Sequence, residues 1–124
     1  MNDVNKKEEL FKEGMRQYKA MDFFEAHEAW EDLWSDFNFK DRKFIQGLIQ
    51  LAVSFVHLKN ENMIGAKSLL DKCQNKFEEY QGIHRGINIE ALKSSLEILK
   101  IVYCKLSNPL DFDWDHVPVL KEKI

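Results

Sequence analysis

Apolar positions fall along this chain in blocks with helical spacing, and one block differs from the others. Between Lys43 and Leu58, residues Phe44, Ile45, Leu48, Ile49, Leu51, Ala52, Phe55, Val56 and Leu58 cover most of a helix's circumference, well beyond the ~100° stripe of a surface helix. Such a helix needs cover on more than one side, so it reads as the centre of the fold. The rest of its surface holds Gly47 and Ser54 on one line and Gln46, Gln50 and His57 on another. Other helices are expected to pack on both lines.

The flanking blocks are amphipathic. Val4, Leu10, Phe11, Met15 and Tyr18, with Gly14 on the same side, predict a first helix over residues 3–19. Asp22-Phe23-Phe24-Glu25 has the form of a capping box and opens a second helix with Phe23, Ala26, Trp30, Leu33, Trp34 and Phe37 on one face. Asp41 is placed to cap the central third helix. Asn60-Glu61-Asn62 breaks the pattern and caps a fourth, whose face is Ile64, Ala66, Leu69, Leu70, Cys73, Phe77 and Tyr80. Gly82 and Gly86 bracket a loop. A fifth helix follows from Asn88, with Ile89, Leu92, Leu96, Leu99, Val102, Tyr103 and Leu106 on one side, and stops before Pro109.

After residue 108 a tail alternates aspartate with bulky apolar residues, Asp111-Phe112-Asp113-Trp114-Asp115. It is expected either to dock through Phe112 and Trp114 or to be held out as a peptide. Tyr18–Ala26 also resembles Leu58–Ala66 in kind: a helix end, a polar turn, two bulky apolar residues and an alanine at a close-packing site. That is the logic of stacked tetratricopeptide-like hairpins, though two copies are too few for a solenoid. No segment alternates like a strand. The predicted class is all-α, a compact bundle of about five helices built from antiparallel hairpins, with one domain over 1–108 and a docked or flexible tail over 109–124.

Composition narrows the function classes. The 124 residues are 44% apolar, and 18 basic against 21 acidic residues give a net charge of −3, with no basic stripe for a nucleic acid. The charged N-terminus lacks a signal-type apolar run, and the central helix is interrupted by Gln, Gly, Ser and His. No membrane span is therefore expected, and the cytoplasm is the expected location. Cys73 and Cys104 have no metal-type spacing and read as buried thiols rather than a bridge.

The candidate chemistry lies between the second and third helices. If they pair antiparallel, residues facing each other have numbers adding to about 77. His27 then meets Gln50, Glu31 meets Gln46, Trp30 lies opposite Gly47, and Arg42 comes within reach of Glu31. Buried His, Glu and Gln side chains that satisfy one another would fix helix register. The same set could instead hold a small polar ligand, with His27 and Glu31 as acid/base or contacting groups and Arg42, Gln46, Gln50, Trp34 and His57 as further contacts. No metal is expected, because His57 lies about 10 Å beyond the position opposite His27 and cannot share an ion with it. No cofactor motif, activated nucleophile or phosphate loop is present in the sequence, and His84 and His116 read as surface residues.

Phe23-Phe24-Glu25-Ala26-His27-Glu28-Ala29-Trp30-Glu31-Asp32-Leu33-Trp34, then Arg42, then Phe44-Ile45-Gln46-Gly47-Leu48-Ile49-Gln50-Leu51-Ala52-Val53 with His57-Leu58, Asn62 and Gly65-Ala66, resembles the bacterial and archaeal family known only as domain of unknown function 309. The resemblance runs from about residue 14 to about residue 80. It implies a small cytoplasmic helical bundle whose motif falls on His27, Glu31, Trp34, Arg42, Gln46, Gly47, Gln50 and His57, and it carries no established activity. The function expected from all of this is a non-enzymatic module for a protein partner or for self-association. The alternative is a small-ligand protein or enzyme using His27 and Glu31.

Overall fold

The computed structural model describes residues 3–121. It is all-α, with helices α1 (Asp3–Lys19), α2 (Phe23–Asp36), α3 (Arg42–Lys59), α4 (Met63–Phe77) and α5 (Ile89–Lys105), each packed on the next in sequence. Between α4 and α5 the expected loop forms a small antiparallel hairpin, β1 (Ile83–His84) with β2 (Ile87–Asn88). Strands of two residues are too short to show an alternating pattern, so hydropathy periodicity carries no sign of them. No described helix is long and apolar enough to cross a membrane.

The two turns that the internal repeat pairs are built alike. Met21 and Glu61 both sit in the left-handed region, at φ +65° and +59°. Asp22 N–H reaches back to Gln17 O at 2.9 Å and Asn62 N–H to His57 O at 2.8 Å, closing a Schellman motif at the end of α1 and again at the end of α3. The same two residues cap the following helices, Asp22 accepting from Glu25 N–H and Asn62 from Gly65 N–H. One residue thus ends one helix and starts the next, which folds α1–α2 and α3–α4 into two equivalent hairpins. Ala26 and Ala66, fully buried, occupy matching close-packing positions.

Helix α3 is covered on several sides, as its apolar circumference requires. Phe44, Ile45, Leu48, Leu51, Ala52 and Phe55 are fully buried. The small-residue line faces α4. A Cβ on Gly47 would lie 2.8 Å from Phe77 Cε1, and Ser54 Oγ donates to Ala66 O at 2.7 Å while sharing a 2.9 Å bond with Tyr103 Oη of α5. Trp30 is not over Gly47. It lies on Gly14 of α1, and its indole N–H donates to Phe11 O at 3.2 Å. Trp30 and Gly47 are level along the pair, but Gly47 points to the α4 side, so matching levels did not bring matching faces.

Two smaller expectations also fail. Ile64 stands 85% exposed rather than on the inner face of α4, because the second helical residue is turned away from the stripe begun by Ala66 and Leu70. Both cysteines are free, but only Cys73 is buried and Cys104 is exposed on the outer side of α5. The segment after α5 makes two 3₁₀ turns, Pro109–Asp111 and Trp114–His116, and returns along the bundle. Phe112 packs on Phe55 and Tyr103, and Trp114 stacks on Phe23 at 5.9 Å.

Candidate functional site

The register between α2 and α3 can be read at both ends. Phe23 meets Phe55 with ring centroids 4.8 Å apart, and the Arg42 guanidinium lies 4.3 Å from the Trp34 ring centroid, so facing residues have numbers adding to about 77. His27 is therefore level with Gln50, and Glu31 with Gln46. At about 100° per residue, Gln46, Gln50 and His57 lie on the side of α3 away from Phe44, Leu48 and Phe55. All three are half-buried, as are His27, Glu31, Trp34 and Arg42.

Level as they are, these side chains are not tied to one another. His27 Nδ1 is 3.3 Å from Phe24 O in its own helix and 3.8 Å from Glu28 Oε2. The Glu31 carboxylate and the Gln46 amide make no hydrogen bond or ion pair with a described residue. Gln50 Oε1 and Trp34 Nε1 are shielded from solvent and have no partner. His57 faces α4 instead, with its ring against Gly65 and Nδ1 3.4 Å from Asn62 Nδ2.

Arg42 is more firmly held, though not by Glu31. Its Nη1 donates to Trp34 O at 2.5 Å and Phe37 O at 2.7 Å, and its guanidinium lies between the rings of Trp34 and Phe39. The last carbonyls of a helix have no partners within it, so Arg42 acts from the first turn of α3 as the C-terminal cap of α2. Among the described residues no group of three or more His, Cys, Asp or Glu side chains is placed to hold a metal ion.

A second polar cluster was not anticipated. Asp41 does not cap α3 with its side chain. Its carboxylate instead accepts from Arg85 Nε at 2.5 Å and Nη2 at 2.8 Å and pairs with His84 Nε2 at 2.8 Å. His84 also packs on Phe44 and Tyr80, so it is an anchor of the β1–β2 hairpin rather than a plain surface residue. Burial pushes the Asp41 carboxyl up, but the hydrogen bonds from Arg85 and His84 outweigh it and leave the group below the usual carboxylate value. No local motif announces this cluster, since its members come from two loops far apart in the chain.

A family model, that of the domain of unknown function DUF309, matches residues 11–69, from the middle of α1 to the middle of α4. Over those residues this helical core is similar to the DUF309 family. The matched stretch contains His27, Glu31, Trp34, Arg42, Gln46, Gln50 and His57. Over 110 residues the chain is 32% identical to the uncharacterized protein YpuF of Bacillus subtilis (strain 168), covering 86% of this chain and 62% of that protein. Over 95 residues it is 27% identical to an uncharacterized protein of Aquifex aeolicus (strain VF5), covering 76% of this chain and 28% of that one. The chain thus spans less than two thirds of the length of either relative.

Proposed function

We propose that this chain is a non-enzymatic protein-interaction module that takes an extended segment of a partner along the polar face of α3 that carries Gln46 and Gln50. The observation that supports this reading is that Gln46 and Glu31 have no hydrogen-bond partner among the described residues and that Gln50 Oε1 is shielded as well as unpartnered. A purely structural network closes on itself, because each buried polar atom without a partner costs about 1–3 kcal/mol. The Gln46 amide carries one donor and one acceptor side, matching a peptide unit, while Gln50, whose Oε1 is shielded, offers its amide N–H to a peptide carbonyl. Gln46 and Gln50 are one turn apart, or about 6 Å, close to the two-residue repeat of an extended chain. Phe24, 53% exposed and 5.6 Å from the His27 ring, supplies an apolar anchor at one end.

The non-enzymatic part of the proposal rests on His27, whose imidazole is engaged by its own helix and is not hydrogen-bonded to Glu31. Two free thiols accord with a cytoplasmic setting. A second reading, a small polar ligand contacted by His27, Glu31 and Arg42, draws on Gln50 Oε1 and Trp34 Nε1, both shielded and without a partner among the described residues.

The experiment is an array of extended peptides probed with the wild-type chain and with a Gln46→Ala/Gln50→Ala double variant. The expected result is binding lost in the variant with the melting temperature unchanged or raised. A melting temperature lowered by many degrees, with array binding intact, would assign these side chains to packing and refute the proposal. Stabilisation of the wild type by a small polar compound, with no peptide bound, would select the second reading.

A further inference from the structure

We infer that the face of the bundle formed by Tyr18 of α1, Phe55 of α3 and Tyr103 of α5 is a peptide-binding groove, that segment 109–121 is its resident ligand, and that an acidic, aromatic segment of a partner exchanges with it. This inference rests on reading the chain as an interaction module, but it concerns the side of α3 opposite the glutamines.

The segment is held as a bound peptide would be. Its aromatic residues enter the body, Phe112 against Phe55 and Tyr103 and Trp114 against Phe23 and Phe55. The groove reads its main chain, with Tyr18 Oη donating to Pro118 O at 2.6 Å and Asn88 N–H to Lys121 O at 3.3 Å. Flanking the two aromatic residues, Asp111, Asp113 and Asp115 all face solvent. Basic side chains stand near the segment. Lys59 Nζ lies 5.5 Å from the Trp114 ring centroid, and Lys12, Arg16 and Lys19 line a cleft beside Val117–Leu120. Two aromatic residues set two apart, with aspartates beside them left to solvent and a proline four residues on, are the chemistry that this face fits.

The groove is also wider than its occupant. A cleft of about 600 Å³ remains between Met15, Tyr18 and Met21 on one side and Val117–Lys121 on the other. A covalently tethered peptide acts at an effective concentration of about 1 mM, so a partner segment must outcompete it and gains when the tail is weakened.

The test uses the full chain with a protease site inserted between Ser107 and Asn108, and a fluorescent synthetic peptide covering residues 108–121 as probe. After cleavage the tail should leave on dilution while the body keeps its helical circular dichroism. Added peptide should rebind the body at least tenfold more tightly than it binds the uncut chain. In a second variant, Phe112→Ala/Trp114→Ala without cleavage, the probe should likewise bind at least tenfold better than to wild type. Loss of the helical signal when the tail leaves, or a folded body that ignores the peptide in both formats, would overturn the inference and make the segment ordinary core. Gln46→Ala/Gln50→Ala in the cut chain should take the peptide unchanged, so a failure here is separable from a failure at the seam.

Discussion

Gly14→Ala sets helix propensity against packing. In the middle of α1 the added methyl gains about 1 kcal/mol of propensity. In the fold it would lie 2.1 Å from Trp30 Nε1 and 2.4 Å from both Cδ1 and Cε2. That ring is fully buried, so it has no open side to swing toward, and α1 must lift away from α2. Overpacking of this kind costs about 1–3 kcal/mol. Lifting α1 also breaks the bond from Trp30 Nε1 to Phe11 O and leaves a buried donor unpaired, a further cost of about 1–3 kcal/mol. Set against the propensity gain, the net loss is about 1–5 kcal/mol. At about 3–5 °C per kcal/mol for a chain of this size, the melting temperature should fall by several degrees or more. Urea unfolding followed by tryptophan fluorescence and circular dichroism measures the loss. Gly82→Ala is the control, since no atom lies within 4 Å of its Cβ position and only the positive φ of +69° is strained. A Gly14→Ala chain as stable as wild type would refute the packing argument.

Two further substitutions probe the polar groups that do have partners. Ser54→Ala should cost about 1–3 kcal/mol, because it strands Tyr103 Oη in the core, Ala66 O keeping its bond within α4, and adding Tyr103→Phe should recover part of the loss in a double-mutant cycle. Asp41→Asn should lower the melting temperature at neutral pH and flatten its fall in acid. The folded-state pKa of Asp41 is held below the unfolded value, so its contribution is present above the unfolded pKa of about 3.9 and lost as pH drops through the folded one. Parallel melting curves for the two proteins from about pH 7 to about pH 2.5 would contradict that sign.

How far the sequence could be read depended on the range of each interaction. The five helices and the two matching turns were legible because periodic apolar faces and Asp22 and Asn62 as caps are local signals. The level at which α2 and α3 face each other was legible too, since one short connection sets it. Faces were harder. Trp30 and Gly47 share a level, yet each closes against a different helix, Trp30 on Gly14 and Gly47 on Phe77. Hardest were side chains with a local use that a distant partner overrides. Asp41 could cap α3 but accepts from Arg85 instead, and Arg42 could pair with Glu31 but serves the carbonyls that end α2. In both cases a group already short of partners, a hairpin guanidinium or a helix C-terminus, outcompetes the nearer option.

That competition bears on the seam. Ser54 has two partners, Asp41 has His84 and Arg85, and the hydroxyl of Tyr18 donates to Pro118 O, so packing in this chain does supply partners to polar groups where it can. Gln50 Oε1 and Trp34 Nε1 are equally shielded and have none, and Glu31 and Gln46 are level with each other without a bond between them. Apolar residues of similar volume at these positions would avoid the desolvation cost and leave α2 and α3 packed as they are. Keeping a shielded amide oxygen and indole N–H there is the feature that the proposed interaction would use. The same helix turns its aromatic side to Phe112 and Trp114, so the polar face and the groove can be altered separately and each tested alone.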